Sequence, residues 1–174
     1  WAAQRSGLYY TPISSRLTAS EVEYIIRDCE AKLIITSNAL KHVVVELTNL
    51  INDISDRYII DGEIDGWNSL EESLISMPSS PINDEIMGQD MLYSSGTTGK
   101  PKGIKLPLKN IPIEQSEDLM QVVTGLYGTN QDTVYLSPAP LYHAAPLRFT
   151  MGVNYLGGTN IIMENFDAES SLRF

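Results

Sequence analysis

Residues 93–103 read Tyr93-Ser94-Ser95-Gly96-Thr97-Thr98-Gly99-Lys100-Pro101-Lys102-Gly103, and this run decides how the chain is read. It gathers three glycines, four Ser/Thr hydroxyls and two lysines behind a short apolar segment, Met91-Leu92-Tyr93, that predicts a strand. Glycines let backbone amides approach an anion closely, hydroxyls add donors, and lysines bring compact positive charge. Successive amides in a turn form an anion-binding concavity, so the run suits a polyphosphate. A flexible Gly/Ser/Thr linker is the plain alternative, and Pro101 with the two lysines argues against it. The spacing does not match a Walker loop, which needs four residues between its glycines and then Lys followed by Ser or Thr. Here only Thr97 and Thr98 separate Gly96 from Gly99, and Pro101 after Lys100 works against a helix starting at the lysine.

The charge around the run is uneven. The 174-residue chain carries a net charge of −10, which disfavours nucleic acid, since phosphate backbones are bound by clustered Lys and Arg. Between Tyr58 and Gly99 there are eight acidic residues and no Lys or Arg, and then Lys100, Lys102, Lys105 and Lys109 follow within ten positions. A local basic island in an acidic chain fits an anionic ligand at that point; Lys105 and Lys109 fit a solvated basic face equally well. The length suffices for one domain with a core, and 43% apolar with 20% charged content is that of an ordinary globular protein. The single cysteine, Cys29, rules out an internal disulfide and fits a reducing, cytoplasmic compartment. It falls on an apolar helical stripe and reads as a core thiol rather than a nucleophile. No apolar run reaches the length of a membrane span, and no signal peptide opens the chain. The chain begins at Trp1, inside a predicted helix, and stops at Phe174 inside another, so it reads as a fragment.

Periodicity organises the rest. Thr18-Ala19-Ser20-Glu21 is a capping box, followed by Val22, Ile25, Ile26 and Cys29 on one helical face. Leu33–Thr36 reads as a buried strand, 40–51 as a helix and 57–60 as a strand. The stretch 61–90 reads as surface with one short helix near 67–76. Strands are predicted at 91–94, 103–106, 133–137 and 159–163, and helices over much of 110–125, over 144–156 and from a cap at Asp167. Strands alternating with helices predict an α/β fold with a mostly parallel sheet and flanking helices.

Over its eleven positions the run 93–103 resembles the signature loop of the acyl-adenylate-forming enzymes, the AMP-dependent synthetases and ligases, with no departure from the pattern. The resemblance extends to Gln4–Pro12, to Asp28-Cys29-Glu30-Ala31-Lys32 before an apolar strand, and to Pro138-Ala139-Pro140-Leu141-Tyr142-His143. That last segment is similar to the acyl-CoA synthetase branch. The resemblance implies that 1–174 is part of the large N-terminal AMP-binding domain. It implies a reaction in two halves: ATP activates a carboxylic acid, as in fatty acid metabolism, to an acyl-adenylate, and coenzyme A then takes the acyl group. By position it makes Ser94, Ser95, Gly96, Thr97, Thr98, Gly99, Lys100 and Lys102 the nucleotide-binding residues, and His143 the catalytic residue where carboxylate and adenylate meet. Such residues would act by positioning and charge stabilisation. His42, with no motif around it, reads as a surface residue.

The resemblance also implies Mg²⁺ with the nucleotide, yet this chain offers no metal ligand of its own to assign. The family's Tyr-Gly-x-Thr-Glu segment, its ribose-binding Asp and its C-terminal catalytic lysine are absent from residues 1–174, so this piece alone is expected to be inactive. Two alternatives stand beside the CoA ligase: a non-catalytic nucleotide-binding module, and an adenylating enzyme with another acceptor, as in amino-acid adenylation or acyl-carrier-protein ligation. A phosphotransferase with a similar loop would need acidic metal ligands after a strand, and no matching Asp pair occurs.

Overall fold

The first long helix opens where the capping box places it. In the structure, a computed structural model that describes residues 1–94, 99–115 and 124–174, Thr18 Oγ1 accepts from the Glu21 amide at 3.4 Å. The Glu21 carboxylate in turn accepts from the Thr18 amide at 2.8 Å. Two otherwise orphaned amides are thereby satisfied and helix α2 begins. The elements in chain order are α1 (Ala2–Arg5), β1 (Tyr9–Tyr10), α2 (Ala19–Asp28), β2 (Leu33–Ser37), α3 (Lys41–Leu50), β3 (Asp56–Ile60), β4 (Asn68–Ser69) and α4 (Leu70–Ile75). They continue with β5 (Gln89–Ser94), β6 (Lys102–Lys105), β7 (Val134–Ser137), α5 (Ala144–Tyr155), β8 (Thr159–Ile162) and α6 (Ala168–Ser171). The fold is α/β with parallel strands and flanking helices, as the alternation predicts, and the described strands are shared among three sheets. The residues form two compact units.

One unit comprises Ile13–Pro81 with Ser94–Gly103. Its sheet runs β2-β3-β4, all parallel, with Leu33 opposite Asp56 and Tyr58 opposite Asn68. A parallel pair needs a crossover, and α3 supplies it between β2 and β3. The apolar faces of α2 and α3 close over the sheet through Ile26, Val44, Leu47, Ile51, Ile54, Ile59 and Trp67, with Ile51 and Ile59 fully buried. Trp67 reaches this core from the polar stretch 61–90. Its indole Nε1 donates to Thr48 Oγ1 at 2.8 Å, and that hydroxyl donates to the Val44 carbonyl at 2.7 Å. Strand β2 departs from its expected burial. Ile34 packs on the core, but Leu33 and Ile35 are about half exposed (52% and 54%), because the two-residue alternation sends them to the face opposite the core. Cys29 caps α2 half-buried and free, its Sγ 3.6 Å from the Ile26 carbonyl, and His42 is exposed.

The other unit comprises Trp1–Pro12, Ile82–Tyr93 and Ile104–Phe174. Here β1 pairs parallel with β5, Tyr9 opposite Gln89 and Tyr10 opposite Asp90, and β6 follows β5 in the sheet. Gly88, just before β5, is required by close approach. Its amide donates to the Gln4 carbonyl at 2.7 Å, and a Cβ there would stand 2.4 Å from the Ala3 carbonyl oxygen and 2.6 Å from that of Leu8. Strands β7 and β8 pair parallel, Val134 opposite Thr159, with α5 as their crossover and Leu147, Val153 and Ser137 buried. Asp167 caps α6 by accepting from the Ser170 amide at 2.7 Å. Of the helix expected over 110–125, Ile113–Gln115 forms a 3₁₀ turn and 124–127 are helical, while 116–123 lie outside the described residues. The two ends differ slightly from expectation: Trp1 is the N-cap of α1, and α6 ends at Ser171, before Phe174.

Two outcomes follow from this packing. Ile59→Ala should lower stability by about 2–5 kcal/mol, as for truncating a fully buried aliphatic chain, read as a fall in denaturant midpoint at unchanged slope. Arg27 donates to both Asp53 carboxylate oxygens, at 2.5 and 2.6 Å, and these bonds hold the Asp53 carboxyl down to about 2. A depressed carboxylate stabilises the fold above its ordinary value of 3.8, and that contribution is lost as pH falls towards about 2. Arg27→Gln should therefore be less stable than the parent chain near neutral pH and converge with it at about pH 2 in an acid titration. A constant difference across that window would show that the pair contributes nothing by charge.

Candidate functional site

The run 93–103 leaves the carboxyl end of β5, a strand pinned by buried residues. Asp90, Met91 and Leu92 are 7%, 5% and 7% exposed. A carboxylate at that depth requires partners. Asp90 has them: Arg148 Nη2 donates to Oδ2 at 2.9 Å and Gln89 Nε2 to Oδ1 at 2.6 Å. Tyr10, opposite Asp90 in β1, donates its hydroxyl to Met151 Sδ at 3.2 Å. Burial first, and then the Asp90 charge, push its pKa up, so it stays protonated. With Arg148 and Met151 both on α5, these contacts fasten β5 and β1 to that helix. Tyr10, Asp90, Arg148 and Met151 also line a cavity of about 290 Å³, together with Trp1 and Tyr155, whose rings stack at 6.0 Å.

Of the predicted nucleotide-binding residues, Ser94, Gly99, Lys100 and Lys102 are described and fall in one unit. Ser94 ends β5 and is exposed. Gly99 adopts φ +90°, a conformation L side chains rarely take, and among the described residues no heavy atom other than those of its chain neighbours lies within 4 Å of where its Cβ would stand. Lys100 and Lys102 are exposed, so their ammonium groups are open to an anion. Lys100 Nζ lies 4.9 Å from the centroid of the Tyr24 ring, and the Tyr24 hydroxyl donates to the Pro101 carbonyl at 3.2 Å. Ser95, Gly96, Thr97 and Thr98 lie outside the described residues.

His143 lies in the other unit, after the carboxyl end of β7, where it is the N-cap of α5. Its amide donates to the Pro140 carbonyl at 3.2 Å and its carbonyl accepts from the Leu147 amide at 3.1 Å. The backbone is thus held at both faces while the imidazole is exposed, its centroid 4.3 Å from that of Tyr142. The ring makes no cap bond to the helix, which leaves it available to a ligand. It does not line the 290 Å³ cavity.

Sequence reasoning missed Tyr24, Tyr9 and the Asp90–Arg148 pair. Tyr9 repeats the Tyr24 arrangement: its hydroxyl donates to the Leu106 carbonyl at 2.7 Å and Lys105 Nζ lies 4.9 Å from its ring centroid. Only Asp90 left a signal, as an acid directly before an apolar strand segment. Among the described residues, no three His, Cys, Asp or Glu side chains group as a metal site would need, and no helix is long and apolar enough to cross a membrane.

The chain is similar to known proteins along most of its length. The chain is 29% identical over 184 residues to acyl-CoA synthetase 7 of Caenorhabditis elegans, covering 98% of this chain and 34% of that protein. It is 31% identical over 109 residues to a plipastatin synthase of Bacillus subtilis, covering 63% of this chain and 4% of that protein. Among solved structures, ATP-bound MatB from Rhodopseudomonas palustris superposes with a TM-score of 0.69 at 22% identity, over 95% of this chain and 32% of that one. The chain thus spans about a third of the length of the acyl-CoA synthetase it matches. The family model described as AMP-binding enzyme matches residues 1–174, and the chain belongs to that family of adenylate-forming enzymes.

Proposed function

We propose that this chain supplies the phosphate-binding part of an ATP-dependent, AMP-forming carboxylate–CoA ligase. The observation that carries this reading is the run Ser94–Gly103, leaving the carboxyl end of a parallel strand with Lys100 and Lys102 exposed. In open α/β sheets, ligands bind outside the carboxyl ends of the strands. His143 follows the carboxyl end of β7, another parallel strand, which supports the same reading from a second segment.

In the first half-reaction a carboxylate oxygen attacks the α-phosphorus of ATP. The bond from that phosphorus to the bridging oxygen breaks, and pyrophosphate leaves with its electrons. Ser94, Ser95, Gly96, Thr97, Thr98, Gly99, Lys100 and Lys102 would hold the β- and γ-phosphates and stabilise the charge that develops on the leaving group. In the second half-reaction the sulfur of coenzyme A attacks the acyl carbon, the bond from that carbon to the phosphate oxygen breaks, AMP leaves with its electrons, and the thiol proton passes to solvent. His143 would face the acyl partner, where a neutral imidazole donates one hydrogen bond and shapes the pocket. Magnesium would accompany the nucleotide, and no step is assigned to it. A fatty or aromatic acid as substrate and a cytoplasmic location are parts of the same proposal.

A second reading, adenylation of an amino acid with another acceptor, has one observation in its favour: the match to a plipastatin synthase. ATP–pyrophosphate exchange in the full-length protein, run with fatty acids, aromatic acids and amino acids in parallel, separates the two.

In that assay Lys102→Ala should slow exchange by well over tenfold, since losing one transition-state donor costs about 2.7–4 kcal/mol. Exchange at the parent rate would remove the run from the nucleotide site. His143→Ala should raise the carboxylate KM or lower kcat while the ATP KM changes much less. An effect on ATP alone, or on melting temperature alone, would take His143 away from the acyl partner.

A further inference from the structure

We infer that Tyr24 is a positioning residue for the nucleotide phosphates, acting through Lys100 and Lys102; the inference rests on the phosphate-binding reading above. Tyr24 stands on α2, far from the run in sequence, yet its hydroxyl donates to the Pro101 carbonyl across 77 positions at 3.2 Å. Pro101 is the residue between the two lysines. It has no amide hydrogen, so its carbonyl is the one main-chain group by which this point of the segment can be hydrogen-bonded. The same tyrosine ring carries the Lys100 ammonium 4.9 Å from its centroid, inside the range of a cation–π contact. One side chain thus holds both the backbone between the lysines and the charge of the first.

The base from which Tyr24 acts is rigid. Its neighbours Ile25 and Ile26 are 3% and 1% exposed, the capping box fixes the start of α2, and the ring itself is half-buried. The segment it holds needs such an anchor. Gly99, two residues before Pro101, has a left-handed backbone, and among the described residues nothing beyond its chain neighbours lies within 4 Å of where its Cβ would stand. A lysine is a point charge on a flexible four-carbon stem, and it stabilises a developing charge best when its position is set beforehand. Held by Tyr24, Lys100 and the Pro101 carbonyl set the direction in which the chain enters β6 and presents Lys102. Nucleotide phosphates, more strongly negative than the ring face, then compete for the Lys100 ammonium without moving the backbone that bears it.

The test uses the full-length protein with Tyr24→Phe, Tyr24→Leu and Lys102→Ala, measuring ATP–pyrophosphate exchange, KM for ATP and for the carboxylate, and melting temperature. Tyr24→Phe keeps the ring and removes the hydrogen bond, and should raise the ATP KM a few-fold. Tyr24→Leu removes both contacts and should lower kcat/KM for ATP by about tenfold or more, with the carboxylate KM unchanged, and Tyr24→Phe should recover part of that loss. If Lys102→Ala is impaired while both Tyr24 variants match the parent, the role of Tyr24 is wrong and the phosphate reading survives. If Lys102→Ala matches the parent, the phosphate reading falls and takes this inference with it. Equal loss towards both substrates, in step with melting temperature, would make Tyr24 a packing residue and overturn the inference. Should Tyr24→Leu fail to fold, Tyr24→Phe, which leaves the ring volume in place, decides alone: an unchanged ATP KM overturns the inference.

Discussion

A parallel strand pair cannot be closed by a hairpin, and this constraint governs the rest of the structure. Pairing β2 with β3 obliges the chain to travel back the length of the sheet, which it does as α3; pairing β7 with β8 does the same through α5. Each crossover brings an apolar face to the sheet, so Val44 and Leu47 in one unit and Leu147 and Val153 in the other are buried for the same reason. The constraint also sorts the chain by chemistry. Crossovers occupy the faces of the sheets, and the polar segments collect after the carboxyl ends of the strands. The glycine-rich run after β5 and the Pro-Leu-Tyr-His segment after β7 both occupy that kind of place.

What was legible in the sequence is what local geometry encodes. Thr18 and Glu21 specify a helix start because both partners lie within one turn, and Asp167 marks the last helix in the same way. The glycine-rich run was legible because its chemistry is contiguous. The rest depends on partners far apart. Asp90 and Arg148 are 58 positions apart and Tyr24 and Pro101 are 77 apart, and neither residue of either pair carries a mark of the other. The exposure of Leu33 and Ile35 was hidden for a related reason. A continuous apolar run reads the same whether one face of the strand is covered or both, and only what packs on each face of the sheet distinguishes them.

The site and its support are built from different residue types. At the run, Lys100 and Lys102 are exposed lysines on flexible stems. Tyr24, on a capped helix, holds the backbone between the two lysines, and within the other unit Asp90 on β5 is held by its guanidinium and amide donors. Asp90 illustrates the exchange involved. Leaving a carboxylate at that depth is unfavourable by itself, and the Arg148 donor fastens β5 to α5 in return. Family membership accounts for the run; it does not by itself account for how this chain holds it.

Tyr24 and Tyr9 both grip the main chain, one at the Pro101 carbonyl before β6 and the other at the Leu106 carbonyl after it. A peptide carbonyl is present whatever amino acid occupies the position. Mutational drift at 101 or 106 therefore leaves the acceptor in place, while the hydroxyl that seeks it can be supplied by few side chains of that reach. These two grips thus depend on the identity of the tyrosines and not on the side chains at 101 and 106, while the ring at Pro101 separately stiffens the backbone between the lysines.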